Sequence, residues 1–171
     1  VGDLNNDSLP DLIFTANRVS SKIYLNQGDF KFLDITSNFE GLTNNQWLSG
    51  VSVVDVNADG WNDVYLTSTM SKDSLLRKNQ LWINQGLTDG QVWFKEMGDQ
   101  YGIADTGYSM HAAFFDYDLD GDLDLYVLNN VISREVPTNY REKVSNGTAD
   151  NNDQLYQNLG NNTFRNVTKE A

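Results

Sequence analysis

The chain has 171 residues, 39% apolar and 12% aromatic, enough to bury a core and too apolar for a disordered polypeptide. Its formal charge of −12, from 24 acidic and 12 basic residues, repels phosphate backbones and argues against a nucleic-acid partner. With no cysteine, disulfides, thiolate zinc sites and cysteine nucleophiles are excluded, and no apolar stretch approaches the roughly 18 residues of a membrane span.

The chain opens at Val1 inside a motif, without a methionine, and is expected to be an internal piece of something longer. The motif is Asp3-Leu-Asn-Asn-Asp-Ser-Leu-Pro-Asp11, followed by the apolar run Leu12-Ile-Phe. Next comes Lys22-Ile-Tyr-Leu-Asn-Gln-Gly28, and then the aromatic-centred segment Phe30-Lys-Phe-Leu-Asp-Ile-Thr36. The same order returns with Asp55-Val-Asn-Ala-Asp-Gly-Trp-Asn-Asp63, Val64-Tyr-Leu, Gln80-Leu-Trp-Ile-Asn-Gln-Gly86 and Val92-Trp-Phe-Lys-Glu-Met97. It returns once more with Asp116-Tyr-Asp-Leu-Asp-Gly-Asp-Leu-Asp124, Leu125-Tyr-Val-Leu128, Gln154-Leu-Tyr-Gln-Asn-Leu-Gly160 and Thr163-Phe-Arg-Asn-Val-Thr168. The second and third acidic motifs are also preceded by apolar runs, Gly50-Val-Ser-Val-Val54 and Ala112-Ala-Phe-Phe115.

Short apolar runs bounded by Gly, Asn and Asp are strands, and the Asn-Gln-Gly stretches are turns. Each repeat therefore predicts about four strands: one before the acidic loop, one after it, and a hairpin pair. The loop-to-loop period is 52 residues and then 61, the range of a propeller blade. The fold class expected is all-β: about three four-stranded antiparallel blades of a β-propeller. Residues 1–171 form a partial propeller with repeats at approximately 1–42, 43–104 and 105–171. The polar stretches 69–78 and 133–153 are expected to be loops between strands or blades.

The acidic loops share the pattern D-x-[DN]-x-D-[GS]-x-x-D. Oxygen-bearing side chains at alternate positions 1, 3 and 5 converge when a loop curls, the position 7 carbonyl joins them, and a position 9 carboxylate closes the cage. That all-oxygen set suits Ca²⁺, a hard cation taking six to eight oxygens. The expected ligands are Asp3, Asn5, Asp7, the Leu9 carbonyl and Asp11; then Asp55, Asn57, Asp59, the Trp61 carbonyl and Asp63; then Asp116, Asp118, Asp120, the Asp122 carbonyl and Asp124. These loops hold eleven of the 24 acidic residues, and up to three Ca²⁺ would halve the formal charge of −12. Solvated acidic turns are the simpler alternative, but three copies in register argue against it. An EF-hand requires a Glu at position 12, where this chain has Phe14, Leu66 and Val127. The third loop, with four carboxylates at ligand positions and Gly121, is expected to bind most tightly. The first has Ser8 where glycine is preferred and is expected to bind most weakly.

The loop motif between two strands, followed by L-Y-x-N-x-G and F-x-x-V-T elements, resembles FG-GAP/VCBS-type repeats over nearly the whole chain. The phrase from Ala113 to Val127 is especially similar to the bacterial cartilage-acidic-protein-like (ASPIC/UnbV-associated) branch. The resemblance implies a β-propeller, typically seven-bladed, with calcium in the loop joining the first two strands of a blade; integrin α-subunit heads are distant relatives. The metal is structural in such proteins, which are mostly exported or surface-exposed.

The expected function is thus an extracellular or outer-surface calcium-binding module, non-catalytic, for adhesion, ligand binding or surface-complex assembly. Its partners would be a protein or glycan ligand, together with the remaining blades or a larger surface complex. The alternatives are a lectin-like propeller using exposed aromatics, or an accessory propeller of a polysaccharide-acting enzyme. Against an enzyme, Glu40, Glu96, Glu135, Glu142 and Glu170 are scattered, and His111 is the sole histidine. Of the tryptophans, Trp82 and Trp93 sit at core-like strand positions, while Trp61, within an acidic loop, is the one expected to be exposed.

Overall fold

The computed structural model describes residues 1–42, 46–130, 149 and 152–170, so most of the expected 133–153 loop lies outside the described residues. Three separate antiparallel sheets are formed. The first has the order β1 (Leu12–Phe14), β2 (Lys22–Asn26), β3 (Phe32–Asp34). The second runs β4 (Trp47–Val54), β5 (Asp63–Thr69), β6 (Gln80–Thr88), β7 (Gln91–Glu96). The third runs β8 (Ser109–Phe115), β9 (Asp124–Asn129), β10 (Gln154–Asn158), β11 (Phe164–Asn166).

Every neighbour in these sheets is also a neighbour in sequence, so each is an up-and-down meander of the propeller-blade type. The three do not close into a ring. Sheet one has three strands where four are expected. Its first position is held by Gly2 alone, which bridges Asp11 just as Val54 pairs with Asp63 and Phe115 with Asp124. A short helix, α1 (Gly98–Tyr101), and two 3-10 turns (Thr36–Asn38 and Ser74–Arg77) interrupt the otherwise all-β chain.

The sheets stack through two apolar layers. One contains Ile13, Ile23, Val64, Leu66, Trp82 and Phe94; the other contains Tyr65, Leu81, Ile83, Leu125, Val127 and Phe164. Alternation along the strands explains the division, since side chains of successive residues point to opposite faces. In β5, Val64 and Leu66 enter the first layer and Tyr65 the second, so every residue of this strand is buried. The first and second blades each also send an aromatic onto the last strand of the next. Phe39 stacks on Phe94 with ring centroids 4.0 Å apart, and Tyr101 lies 6.5 Å from Phe164.

The same alternation corrects the reading of the tryptophans. With Val92 and Phe94 directed inward, Trp93 faces outward and is 41% exposed. Trp61 instead packs against the first layer. The inner strands β4 and β8 are joined by Ser49 and Ser52, whose hydroxyls donate to the Ser109 and Ala112 carbonyls at 2.7 Å each. Gly50 permits this approach, because a Cβ there would stand 2.8 Å from the Met110 carbonyl oxygen. No helix among the described residues is long and apolar enough to cross a membrane.

Candidate metal centres

The three acidic loops join the first two strands of a blade and have one local geometry. The position 1 carboxylate gathers the amides of positions 5 and 6. Asp3 accepts from Asp7 N at 3.2 Å and Ser8 N at 2.8 Å. Asp55 accepts from Asp59 N at 3.1 Å and Gly60 N at 2.8 Å. Asp116 accepts from Asp120 N and Gly121 N, both at 3.1 Å. The position 5 carboxylate then accepts the position 7 amide, from Leu9 at 2.7 Å, Trp61 at 2.8 Å and Asp122 at 3.1 Å. Asn5 and Asn57, at position 3, each donate from Nδ2 to the position 5 carboxylate at 2.9 Å.

This curl requires left-handed backbone at two positions. Position 6 has φ of 67° at Ser8, 88° at Gly60 and 99° at Gly121. Position 4 has φ of 58° at Asn6, 56° at Ala58 and 63° at Leu119. Glycine adopts this conformation without a Cβ clash, whereas a residue such as serine is disfavoured by about 1–2 kcal/mol. Ser8→Gly is therefore expected to stabilise the chain by about 1 kcal/mol in urea denaturation, since the Ser8 N–H bond to Asp3 survives the change. No gain would show that the serine hydroxyl offsets its own strain.

Asp116, Asp118 and Asp120 converge: each offers a carboxylate oxygen, and these three oxygens lie within 4.8 Å of one another. Ligands about 2.3–2.6 Å from a shared Ca²⁺ stand at most about 5 Å apart, so one cation can reach all three. The donor set is oxygen throughout, which fits Ca²⁺ and not a metal preferring nitrogen or sulfur. The first two loops carry an asparagine at position 3, which leaves carboxylates at positions 1 and 5 of the curl. Asp122 keeps one carboxylate oxygen buried and, among the described residues, without a hydrogen-bond partner. Burial, and then the neighbouring Asp120, Asp124 and Asp118, raise its pKa.

Position 9 is built differently. Asp11, Asp63 and Asp124 are fully buried, and Asp124 is not among the three converging carboxylates of the third loop. One oxygen of each accepts the position 2 amide: Leu4 N at 2.7 Å, Val56 N at 3.1 Å and Tyr117 N at 2.9 Å. The other accepts the amide of an asparagine on the hairpin strand, from Asn26, Asn84 or Asn158, at 2.8 Å in each blade. Each oxygen retains a second lone pair. Burial pushes the Asp63 carboxyl up to about 7, opposed by its two backbone hydrogen bonds, and shifts Asp11 in the same direction.

The hairpin asparagine is a functional position that reading the Asn-Gln-Gly stretches as turns alone passes over. Its side chain donates to the position 8 carbonyl, at Pro10 (3.1 Å), Asn62 (3.1 Å) and Leu123 (3.2 Å). Its Oδ1 accepts from the glycine two residues on. The signal was available, since asparagine stands at this place in all three repeats.

Loop, flanking strands and hairpin recur as a unit, and the FG-GAP-like repeat family model matches residues 3–66 and 55–127. The chain belongs to the FG-GAP-like repeat family. The two matched segments begin at the first and second acidic loops, and the second segment ends in β9, beyond the third loop. The chain is also 27% identical over 164 residues to a T-cell immunomodulatory protein homolog of Plasmodium yoelii yoelii. The alignment takes in 90% of this chain and 22% of that relative, so this FG-GAP-like chain spans about a fifth of the relative's length.

Proposed function

We propose that this FG-GAP-like chain is a calcium-stabilised, non-catalytic binding module of an extracellular or surface-exposed protein, acting in adhesion, ligand capture or surface assembly. The observation that carries the reading is the threefold loop geometry, above all the convergence of Asp116, Asp118 and Asp120. In this reading the side chains at positions 1, 3, 5 and 9 hold the cation, with the carbonyls of Leu9, Trp61 and Asp122. Bound Ca²⁺ neutralises carboxylates that otherwise repel one another, and so ties the first two strands of each blade.

The partner is a protein surface. The name of the relative, a T-cell immunomodulatory protein homolog, supports this. A glycan ligand is the second reading, favoured by the exposed Trp93 and Trp47, at 41% and 37% exposure. The chain is read as part of a larger propeller, and the phrase from Ala113 to Val127 supports the bacterial cartilage-acidic-protein-like branch. Calorimetric titration of the chelator-stripped chain tests the metal reading. Up to three Ca²⁺ per chain are expected, with the third loop filling first and Mg²⁺ unable to replace them. Absence of binding heat at millimolar Ca²⁺ would sink it.

A further inference from the structure

The first two acidic loops are hydrogen-bonded to each other, whereas among the described residues the second and third are not. Asn62, at position 8 of the second loop, donates from Nδ2 to the Asp3 carbonyl at 2.8 Å. Asn84 Nδ2 donates to the Leu4 carbonyl at 2.8 Å and to the Asn62 carbonyl at 3.1 Å. From the other side, Asn6 Nδ2 donates to the Gly60 carbonyl at 2.9 Å. The equivalent residues between the second and third loops cannot repeat this. Leu123 stands in place of Asn62, Ala58 in place of Asn6, and Asn158 Nδ2 reaches only the Leu123 carbonyl. Among the described residues no hydrogen bond joins the second loop to the third. A cleft of about 310 Å³ separates them, lined by Asp55, Ala58, Gly121, Asp122 and Asn162 among others.

We propose that Asn62 and Asn84 are positioning residues that make the first and second loops one cooperative calcium unit, while the third loop binds independently. The inference rests on the calcium reading above. Asn84 is the junction. Its side chain holds the start of the first loop, and its backbone N–H holds the Asp63 carboxylate of the second at 2.8 Å. Ordering the first loop around a cation fixes the Asp3 and Leu4 carbonyls, which in turn fix Asn62 and Asn84. Part of the ordering that the second loop requires is then already in place, so its cation binds more tightly. Linkage makes the effect mutual: the second loop, with Gly60, reinforces the first, which carries the strained Ser8.

Trp61 lies within the second loop, so Tb³⁺ luminescence excited through tryptophan reports its occupancy. D7N removes a first-loop carboxylate and is expected to weaken Tb³⁺ at the second loop about tenfold. In an N62L background, which copies the residue found at 123, the D7N effect should shrink to less than about twofold. D120N, the matching change in the third loop, should shift the second loop by less than about twofold in either background. N6A removes one exposed bond without touching the core and should reduce the coupling in part. Circular dichroism at saturating Ca²⁺ establishes that each variant is folded. Unchanged second-loop affinity in D7N overturns the coupling, as does equal weakening by D7N and D120N, which signals general loosening. A parent chain that gives no Tb³⁺ signal and binds no Ca²⁺ overturns the calcium reading itself, and the coupling with it.

Discussion

Replacing Asp63 with alanine is expected to destabilise the chain by about 3–5 kcal/mol, even with all metal removed. The carboxylate is fully buried and accepts from Val56 N at 3.1 Å and Asn84 N at 2.8 Å. Alanine would leave both amides without an acceptor, each at a cost of about 1–3 kcal/mol, and would open a void at this fully buried position. Asp63→Asn separates shape from charge. It keeps one acceptor oxygen but turns an NH₂ group toward one of the two amides, so a smaller loss of about 2 kcal/mol is expected. Urea denaturation in EDTA is the appropriate measurement, because chelator removes any contribution from lost calcium. A cost below about 1 kcal/mol for Asp63→Ala would mean that the loop and hairpin hold together without this bridge.

The expectation depends on a feature that pattern reading did not separate from the rest of the motif. Spacing makes position 9 a ligand alongside positions 1, 3 and 5, a role the calcium reading keeps, and shows nothing of its second role. The structure buries it and gives both oxygens to backbone amides from two different segments. Local features were otherwise legible. Strand alternation, the acidic loops and the Asn-x-Gly turns of the first and third repeats all act within a few residues and match their places in the sheets. Asn84-Gln85-Gly86, in contrast, lies inside β6 at a register shift, and the turn of that hairpin falls at Asp89-Gly90.

What sequence left hidden depends on neighbours or on backbone angles that side chains do not announce. Ala58 and Leu119 are left-handed at position 4, although neither residue type signals that conformation as Asn6 does. Whether Trp93 or Phe94 faces the core follows from the stacking of Phe94 on Phe39, a residue of the preceding blade. The bond from Asn62 to Asp3 spans 59 residues and has no counterpart in the third repeat. A further recurring device escaped for the same reason. Ser21, Asn79 and Asp153, just before each hairpin, accept from the amides of Ala16, Ser68 and Asn129 at 3.2, 2.8 and 2.8 Å. Three different side chains do one job there, so no shared letter marks the position.

Removing calcium is expected to lower Tm by roughly 15–30 °C and to make it fall with rising pH. A site filled at a hundred times its Kd stabilises the fold by about 2.7 kcal/mol, so three filled sites contribute about 8 kcal/mol. At about 2–4 °C per kcal/mol for a chain of this size, the Tm range follows. The pH effect comes from Asp63. Its folded, metal-free carboxyl is pushed up to about 7 from the ordinary value of 3.8. The folded state therefore holds a proton that the unfolded chain has already released. That contribution to stability is complete below about 3.8, declines as pH rises, and is gone above about 7. Between pH 5.5 and 8 the metal-free chain should lose about 2 kcal/mol, with Asp11 acting in the same direction. Ca²⁺ favours the ionised carboxylate, so saturating calcium should abolish the decline, and second-loop affinity should weaken as pH drops below 7. Thermal melts at pH 5.5 and 8, each with EDTA and with 5 mM Ca²⁺ (about a hundred times a Kd of 50 μM), read all four states. A Tm unmoved by EDTA would reduce the loops to solvated turns. A calcium effect with no pH dependence in EDTA would instead show that Asp63 is ionised in the metal-free fold, its charge carried by the amides of Val56 and Asn84.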